Sequence, residues 1–230
     1  MLNLLTIAGS DSCGGAGIQA DIKTFCAHGC YGMSIITAVT AQNTQGVAAS
    51  LDIPPEMITA QADAVFSDIR VDAVKTGMLS CVDTIKCVSD IIKKYSPKFY
   101  VLDPVMISKS GFALLRDDAV ESVISLLLPL CCIVTPNIPE AERISGMKIK
   151  SETDAREAAK RIYSFGPKSV LIKGGHLDGD PTDLLYDGSS FTVFPGRRID
   201  TKNTHGTGCT LSAAVACSLA AGTDITEAVR

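Results

Sequence analysis

The chain has 230 residues, 21 basic against 25 acidic, a formal charge of −4, 46% hydrophobic and 5% aromatic residues and no Trp. That length suits one α/β domain with a substantial core, and its Lys and Arg are too scattered to form a nucleic-acid footprint. No apolar run reaches the ~18 residues of a membrane span, and "MLNLLTIAGSDS" lacks the basic region and cleavage site of a signal peptide, so the expected location is cytoplasmic.

Apolar, β-branched runs alternate with helical patterns from the start. "LNLLTIAG" reads as a strand and leads to a helix from about Ile18 to Ala27; "MSIITAVTA" with "PEMITAQADAVFSDI", then "DAVKTGM" with "VDTIKCVSDIIKKY", repeat the pair. "KFYVLDPVM" is followed by a helix near Asp117 to Leu128, "CCIVTPN" by one near Ser151 to Phe165, and "KSVLIKGG" is the last such run. Strands apolar along their length and separated by helices predict a mainly parallel sheet covered on both faces, a three-layer α/β sandwich. Two stretches break the alternation. "DLLYDGSSFTVF" is a hairpin turning at Asp187-Gly188, which predicts an antiparallel edge, and "AQNTQGVAASLDIP" reads as a small strand excursion. No repeat or linker divides residues 1–230, so one domain is expected. "GTDITEAVR" opens a further helix, capped by Thr223 or Asp224, with Glu227 in its first turn. The sequence stops at Arg230 before that helix could run its length, so a missing C-terminal helix and tail is the expectation.

Nine cysteines raise the question of disulfides or zinc. Cys26 and Cys30 are four apart on the first predicted helix, Cys131 and Cys132 are adjacent in a predicted strand, and no CxxC pair occurs. Neither a disulfide framework nor a metal motif follows. Apart from Cys209, the cysteines are expected to be small buried hydrophobes in a reducing compartment, and a thiol redox role has only their number in its favour.

In an open parallel sheet, ligands bind beyond the carboxyl ends of the strands. The segments found there are "AGSDSCGGAGIQAD", "AQNTQG", "KTGM", "LDPVM", "TPNIPEAE", "GGH" and "HGTGC". In the last, Gly206, Thr207 and Gly208 let the backbone bend so that amides meet at the mouth of a helix whose dipole adds positive potential, an anion hole. An ordinary tight turn before a close-packed helix explains the glycines equally well. The GxxxxGK[ST] form is absent, so a phosphate-binding lysine has to come from elsewhere, and Lys173 at a neighbouring strand end is the candidate. Cys209, in the first helical turn, gains thiolate character from the dipole and is placed to polarise an attacking hydroxyl or take its proton.

Gly14, Gly15 and Gly17 do not fit GxGxxG cleanly, so a dinucleotide fingerprint is poorly supported. Asp21, in the first turns of the following helix, faces either ligand donors in the crevice or only the helix dipole. Asn137 and Glu140, three apart at a helix start, either hold hydrated Mg²⁺ or form a capping box; Asp103 at a strand end adds a carboxylate and favours metal. His28, His176 and His205 lack ligand spacing and are expected in loop, capping or supporting roles.

Taken in order, "LTIAGSDSCGGAGIQADIKTF", "ITAVTAQNTQGV", "KTGML", "LDPVM", "TPNIPEAE", "LIKGGH" and "NTHGTGCTLSAA" closely resemble the ribokinase-like superfamily, and within it the hydroxymethylpyrimidine and phosphomethylpyrimidine kinases of thiamine biosynthesis. The resemblance implies a ribokinase-like sandwich, ATP and Mg²⁺ as cofactors, and a homodimer. It implies a pyrimidine pocket lined by Gly9, Asp21, Gln42, Met78 and Val105, with Gln42 pairing donor and acceptor with the aminopyrimidine edge. Gly206, Thr207, Gly208 and Cys209 become the anion hole, with Cys209 standing where many sugar kinases carry an Asp base. Lys173, with Thr207 and Gly208, meets the ATP phosphates, and Asp103, Asn137 and Glu140 organise Mg²⁺. A pyridoxal kinase of the same superfamily is the nearest alternative, and a non-catalytic metabolite-binding module the alternative of another class.

Overall fold

The computed structural model describes residues 1–106, 115, 117–175, 180–201 and 203–230. Strands β1 (Asn3–Asp11), β2 (Tyr31–Gln42), β3 (Val47–Asp52), β4 (Ala73–Thr76), β5 (Phe99–Leu102), β6 (Ile133–Val134), β7 (Val170–Ile172), β8 (Thr182–Tyr186) and β9 (Phe191–Pro195) form one sheet, ordered β3-β2-β1-β4-β5-β6-β7-β8-β9. The six strands from β2 to β7 pair in parallel. Both edges are antiparallel: β3 folds back on β2, as the excursion reading expects, and β8–β9 is the hairpin turning at Asp187-Gly188.

Period-two alternation sends neighbouring residues into two separate cores. Leu4, Ala73, Val101 and Leu171 meet α1 (Gly17–Ala27) and α7 (Thr207–Ala220), with α8 (Ile225–Val229) beyond. Leu5, Val74, Leu102 and Ile172 pack against α2 (Pro55–Asp68), α3 (Val82–Tyr95), α5 (Ile138–Ser145) and α6 (Glu152–Tyr163) on the opposite face. These are the three layers. α8 begins at Asp224, whose side chain accepts from the Thr226 and Glu227 amides.

The helix expected near Asp117 to Leu128 is broken. A 3-10 turn (Asp117–Ala119) leads into α4 (Val120–Ser122), a π segment (Val123–Leu127) and a second 3-10 turn (Leu128–Leu130). Pro129 has no amide to donate and disfavours helical geometry before it, so a regular ladder cannot continue through the end of this run. The cysteine expectations also change. Cys30 lies beyond the end of α1, and Cys131 and Cys132 precede β6. All nine are free thiols, but only Cys30, Cys131 and Cys217 are buried.

Among the described residues, no helix is long and apolar enough to cross a membrane.

Candidate active site

Strand order reverses direction around β1 and β4, the place where a parallel sheet opens a crevice beyond its carboxyl ends. A cleft of about 530 Å³ lies on that side, and its walls include Gln42, Asp103, Val105, Asn137, Glu140, Lys173 and Gly206 to Cys209. Sequence-distant candidates are thus brought together. His176 lies outside the described residues.

Gly206 is the N-cap of α7, at φ 78°, and a Cβ there would collide with the Gly15 carbonyl oxygen. The left-handed conformation and the close approach both require glycine. No side chain caps α7; the Thr207 amide turns back to the Thr204 carbonyl at 3.5 Å, and Gly208 and Cys209, the next two first-turn positions, are on the cleft wall. A Cβ placed on Gly208 would stand 3.2 Å from Lys173 Nζ, which locates the ammonium directly before that turn. The turn is therefore open to the cleft, as an anion hole requires.

Asp103 lies beneath, 2% exposed. Its Oδ1 accepts from Lys173 Nζ at 3.1 Å and from the Thr135 hydroxyl at 3.2 Å, and Ser212 Oγ approaches Oδ2 at 3.3 Å. Burial opposes ionisation of Asp103, but Lys173 and Lys75 outweigh it and hold the carboxyl below its ordinary range. Burial likewise works against the Lys173 charge, and Asp103 and Glu140 overcome it, so the ammonium titrates above the ordinary lysine value.

Asn137 and Glu140 realise the capping box. The Glu140 amide donates to Asn137 Oδ1 at 2.9 Å and the Asn137 amide to Glu140 Oε2 at 2.8 Å. The Asn137 oxygen expected to ligate metal is thereby engaged with backbone. Burial pushes the Glu140 carboxyl up to about 7 against the pull of Lys173.

Two expectations are corrected. Asp21 does not face the crevice: its side chain is fully buried, both oxygens lie 2.9 Å from Lys75 Nζ, and Thr6 Oγ1 donates to Oδ2 at 2.6 Å. Helical phase turns this face of α1 onto the sheet, where a lysine awaits it. Gly9 and Met78 are buried and lie against each other. Cys209 does not acquire thiolate character, since burial pushes its thiol up to about 11 despite the favourable charge of Lys75 and a Gly17 amide aimed at the sulfur. Dehydration of the thiolate, with the neighbouring Asp21 and Asp103 charges, exceeds what the Lys75 ammonium and the Gly17 amide return.

A model of the phosphomethylpyrimidine kinase family matches residues 11–230. The chain belongs to that family. This kinase is 53% identical over 227 residues to the hydroxymethylpyrimidine/phosphomethylpyrimidine kinase of Rhizobium meliloti, covering 98% of the chain and 85% of the relative. It is 51% identical to the thiamine biosynthesis bifunctional protein of Geobacter sulfurreducens, over 99% of the chain and only 46% of that longer protein. Among solved structures, the phosphomethylpyrimidine kinase of Clostridium difficile superposes with a TM-score of 0.89 at 52% identity, covering 100% of this chain and 95% of that one. The ADP complex of Bacillus subtilis pyridoxal kinase gives a TM-score of 0.92 at 42% identity, covering 100% and 88%. The fold is thus ribokinase-like.

Sequence reasoning missed two parts of this kinase site. Lys75 is fully buried in β4, held by Asp21, and close enough to Cys209 for their charges to interact. Burial pulls its charge down, but Asp21 more than offsets that and keeps it above the ordinary lysine value. The signal was available, because a lysine in the four-residue strand "AVKT" between apolar neighbours must find a buried partner. The second part is Asp11, whose Oδ2 lies 2.8 Å from His205 Nε2 and accepts from the Gly15 and Ala16 amides at 3.0 and 2.8 Å. That contact ties the first loop to the turn before α7 across 194 positions of sequence, which no local pattern reveals.

Proposed function

We propose that this kinase transfers the γ-phosphoryl group of ATP to the hydroxymethyl group of hydroxymethylpyrimidine and then to the resulting monophosphate, giving the diphosphate used in thiamine biosynthesis. The observation that carries the reading is the open turn Gly206 to Cys209, facing Lys173 across a few ångströms in the same cleft as Gln42. Family membership and the activity for which its curated relatives are named favour the pyrimidine over pyridoxal.

Phosphoryl transfer asks chiefly for in-line positioning and charge neutralisation. First-turn amides of α7 and the Lys173 ammonium supply positive charge for the migrating group. Asp103 keeps Lys173 ionised and in place. Cys209, a neutral thiol, orients the attacking hydroxyl and gives it a weak acceptor, above the buried charge of Lys75. Gln42 is half-buried at the rim, its Oε1 accepting from Thr40 Oγ1 at 3.1 Å, which leaves the amide N–H₂ free to meet a ring acceptor.

Mg²⁺ suits the donor set as a hydrated ion. Glu140 and Asp103 present carboxylate oxygens at the cleft, both already hydrogen-bonded, so they would hold the ion's waters rather than enclose it. When bound with ATP the ion neutralises phosphate charge. A homodimer belongs to the same reading, and exposed Val39 and Leu51, paired across β2 and β3, offer apolar surface for it.

The test is release of ADP with ATP and Mg²⁺, comparing hydroxymethylpyrimidine, its monophosphate and pyridoxal. Both pyrimidines should support turnover at higher kcat/KM than pyridoxal. A clear preference for pyridoxal would replace this reading with that of a pyridoxal kinase, and no ADP with any of the three would leave a binding module.

A further inference from the structure

Cys13, Asp11 and His205 form a compact set of metal-ligating groups at the edge of the kinase site, and the phosphoryl-transfer roles above fall on none of them. Cys13 Sγ lies 3.3 Å from Asp11 Oδ2 and 3.7 Å from His205 Nε2, and the carboxylate and imidazole atoms are 2.8 Å apart. Cys13 is exposed and His205 partly so, whereas Asp11 is buried and fixed by three backbone amides, from Cys13, Gly15 and Ala16. One ligand is thus anchored rigidly from behind, and the two softer ones reach it from the solvent side.

Tetrahedral zinc with ordinary bond lengths places sulfur and nitrogen about 3.6 Å apart, sulfur and oxygen about 3.6 Å, and nitrogen and oxygen about 3.4 Å. The triad is already close to that triangle. Its largest departure is the hydrogen-bonded nitrogen–oxygen pair, which has to open by about 0.6 Å. Such an opening is expected, because the protons now directed at Asp11 Oδ2 are what a metal would displace.

We propose that Asp11, Cys13 and His205 form a binding site for Zn²⁺ or a similar thiophilic divalent cation, with water as the fourth ligand. On binding, the Cys13 thiol proton goes to solvent and sulfur coordinates as thiolate. The imidazole coordinates through Nε2 with its hydrogen on Nδ1, and no electron is transferred. One proton leaves per ion bound. The ion fastens the loop after β1 to the turn that carries Gly206, and both Ala16 and His205 are on the cleft wall. Occupancy therefore stiffens the entrance of the phosphoryl site and slows turnover, making free zinc an inhibitor.

Cobalt titration of the whole chain tests this, because Co²⁺ bound by thiolate shows a ligand-to-metal charge-transfer band. The wild type should bind one Co²⁺ with that band, release one proton, and lose the band to added Zn²⁺. Cys13→Ser keeps a hydroxyl for Asp11 and removes the thiolate; it should retain basal turnover, lack the band, and need at least about 100-fold more Zn²⁺ for half-inhibition. A Cys13→Ser protein that keeps both the band and the zinc sensitivity would assign the metal to another thiol, Cys209 first among them, and overturn the proposal. Absence of any thiolate–cobalt band in the wild type would do the same. The cobalt spectrum does not depend on turnover, so failure of the kinase reading would leave this test intact.

Discussion

Removing the Asp21 carboxylate should destabilise the fold strongly, because its loss strands a buried ammonium. Asp21 and Lys75 are both fully buried, joined at 2.9 Å through each carboxylate oxygen, with Thr6 as the further donor at 2.6 Å. Asp21→Asn preserves volume while leaving the buried Lys75 ammonium an amide oxygen in place of its carboxylate partner, with only the more distant charge of Asp103 to oppose the loss. Breaking such a pair from one side costs about 3–5 kcal/mol. For a domain of this size each kcal/mol moves Tm by about 2–4 °C, so the variant should melt about 6–20 °C lower. Thermal and urea unfolding followed by circular dichroism measure it. Glu152→Gln, which breaks a half-exposed pair with Arg156, is the control and should leave Tm unchanged. Adding Lys75→Met to Asp21→Asn removes the stranded charge and should restore much of the loss. A loss under about 1 kcal/mol for Asp21→Asn, or no recovery in the double variant, would show that the pair is not the buried charged contact described here.

Three further outcomes follow from the site. Cys209→Ala should lower kcat about 10- to 100-fold with little change in KM, since a thiol at about 11 positions the hydroxyl; a loss near 10⁴-fold would mark it as the essential base. Gly206→Ala forces a side chain into a φ of 78° and against the Gly15 carbonyl, costing about 1–3 kcal/mol in backbone strain and displacing the anion hole, so both Tm and turnover should fall; unchanged turnover would refute the role of that turn. Glu140 titrates near 7 in the folded chain, well above its ordinary value of 4.5. The folded state thus binds its proton more tightly than the unfolded state, and ionising it makes stability decline as pH rises from about 4.5 to 7, by up to about 3 kcal/mol. In the folded enzyme this carboxyl ionises around pH 7 and there completes the carboxylate that holds hydrated Mg²⁺, so kcat/KM should rise through pH 7, and Glu140→Gln should flatten both profiles.

How far the sequence reached is clearest at particular residues. The layered α/β fold, the Asp187-Gly188 hairpin and a helix cap at Thr223 or Asp224 were legible, because strand hydrophobicity, turn chemistry and capping are local and are written in neighbouring residues; the structure chose Asp224. So was the Gly206 turn, since only glycine tolerates that backbone and a helix must begin beside it. The direction of a side chain was less legible. Asp21 was identified as a residue that matters, but a rotation of part of a helical turn decides between crevice and sheet, and the partner that claims it lies 54 positions away.

Local sequence therefore determined which elements form and where their polar ends gather. Tertiary structure alone decided which charges meet. Lys75 was placed under Cys209, Asp103 under Lys173, and Asp11 beside His205 by the packing of strands whose order differs from their order along the chain. Charge and dehydration act through space and over a few ångströms, so the high thiol of Cys209 and the near-neutral titration of Glu140 exist only once those distances are set.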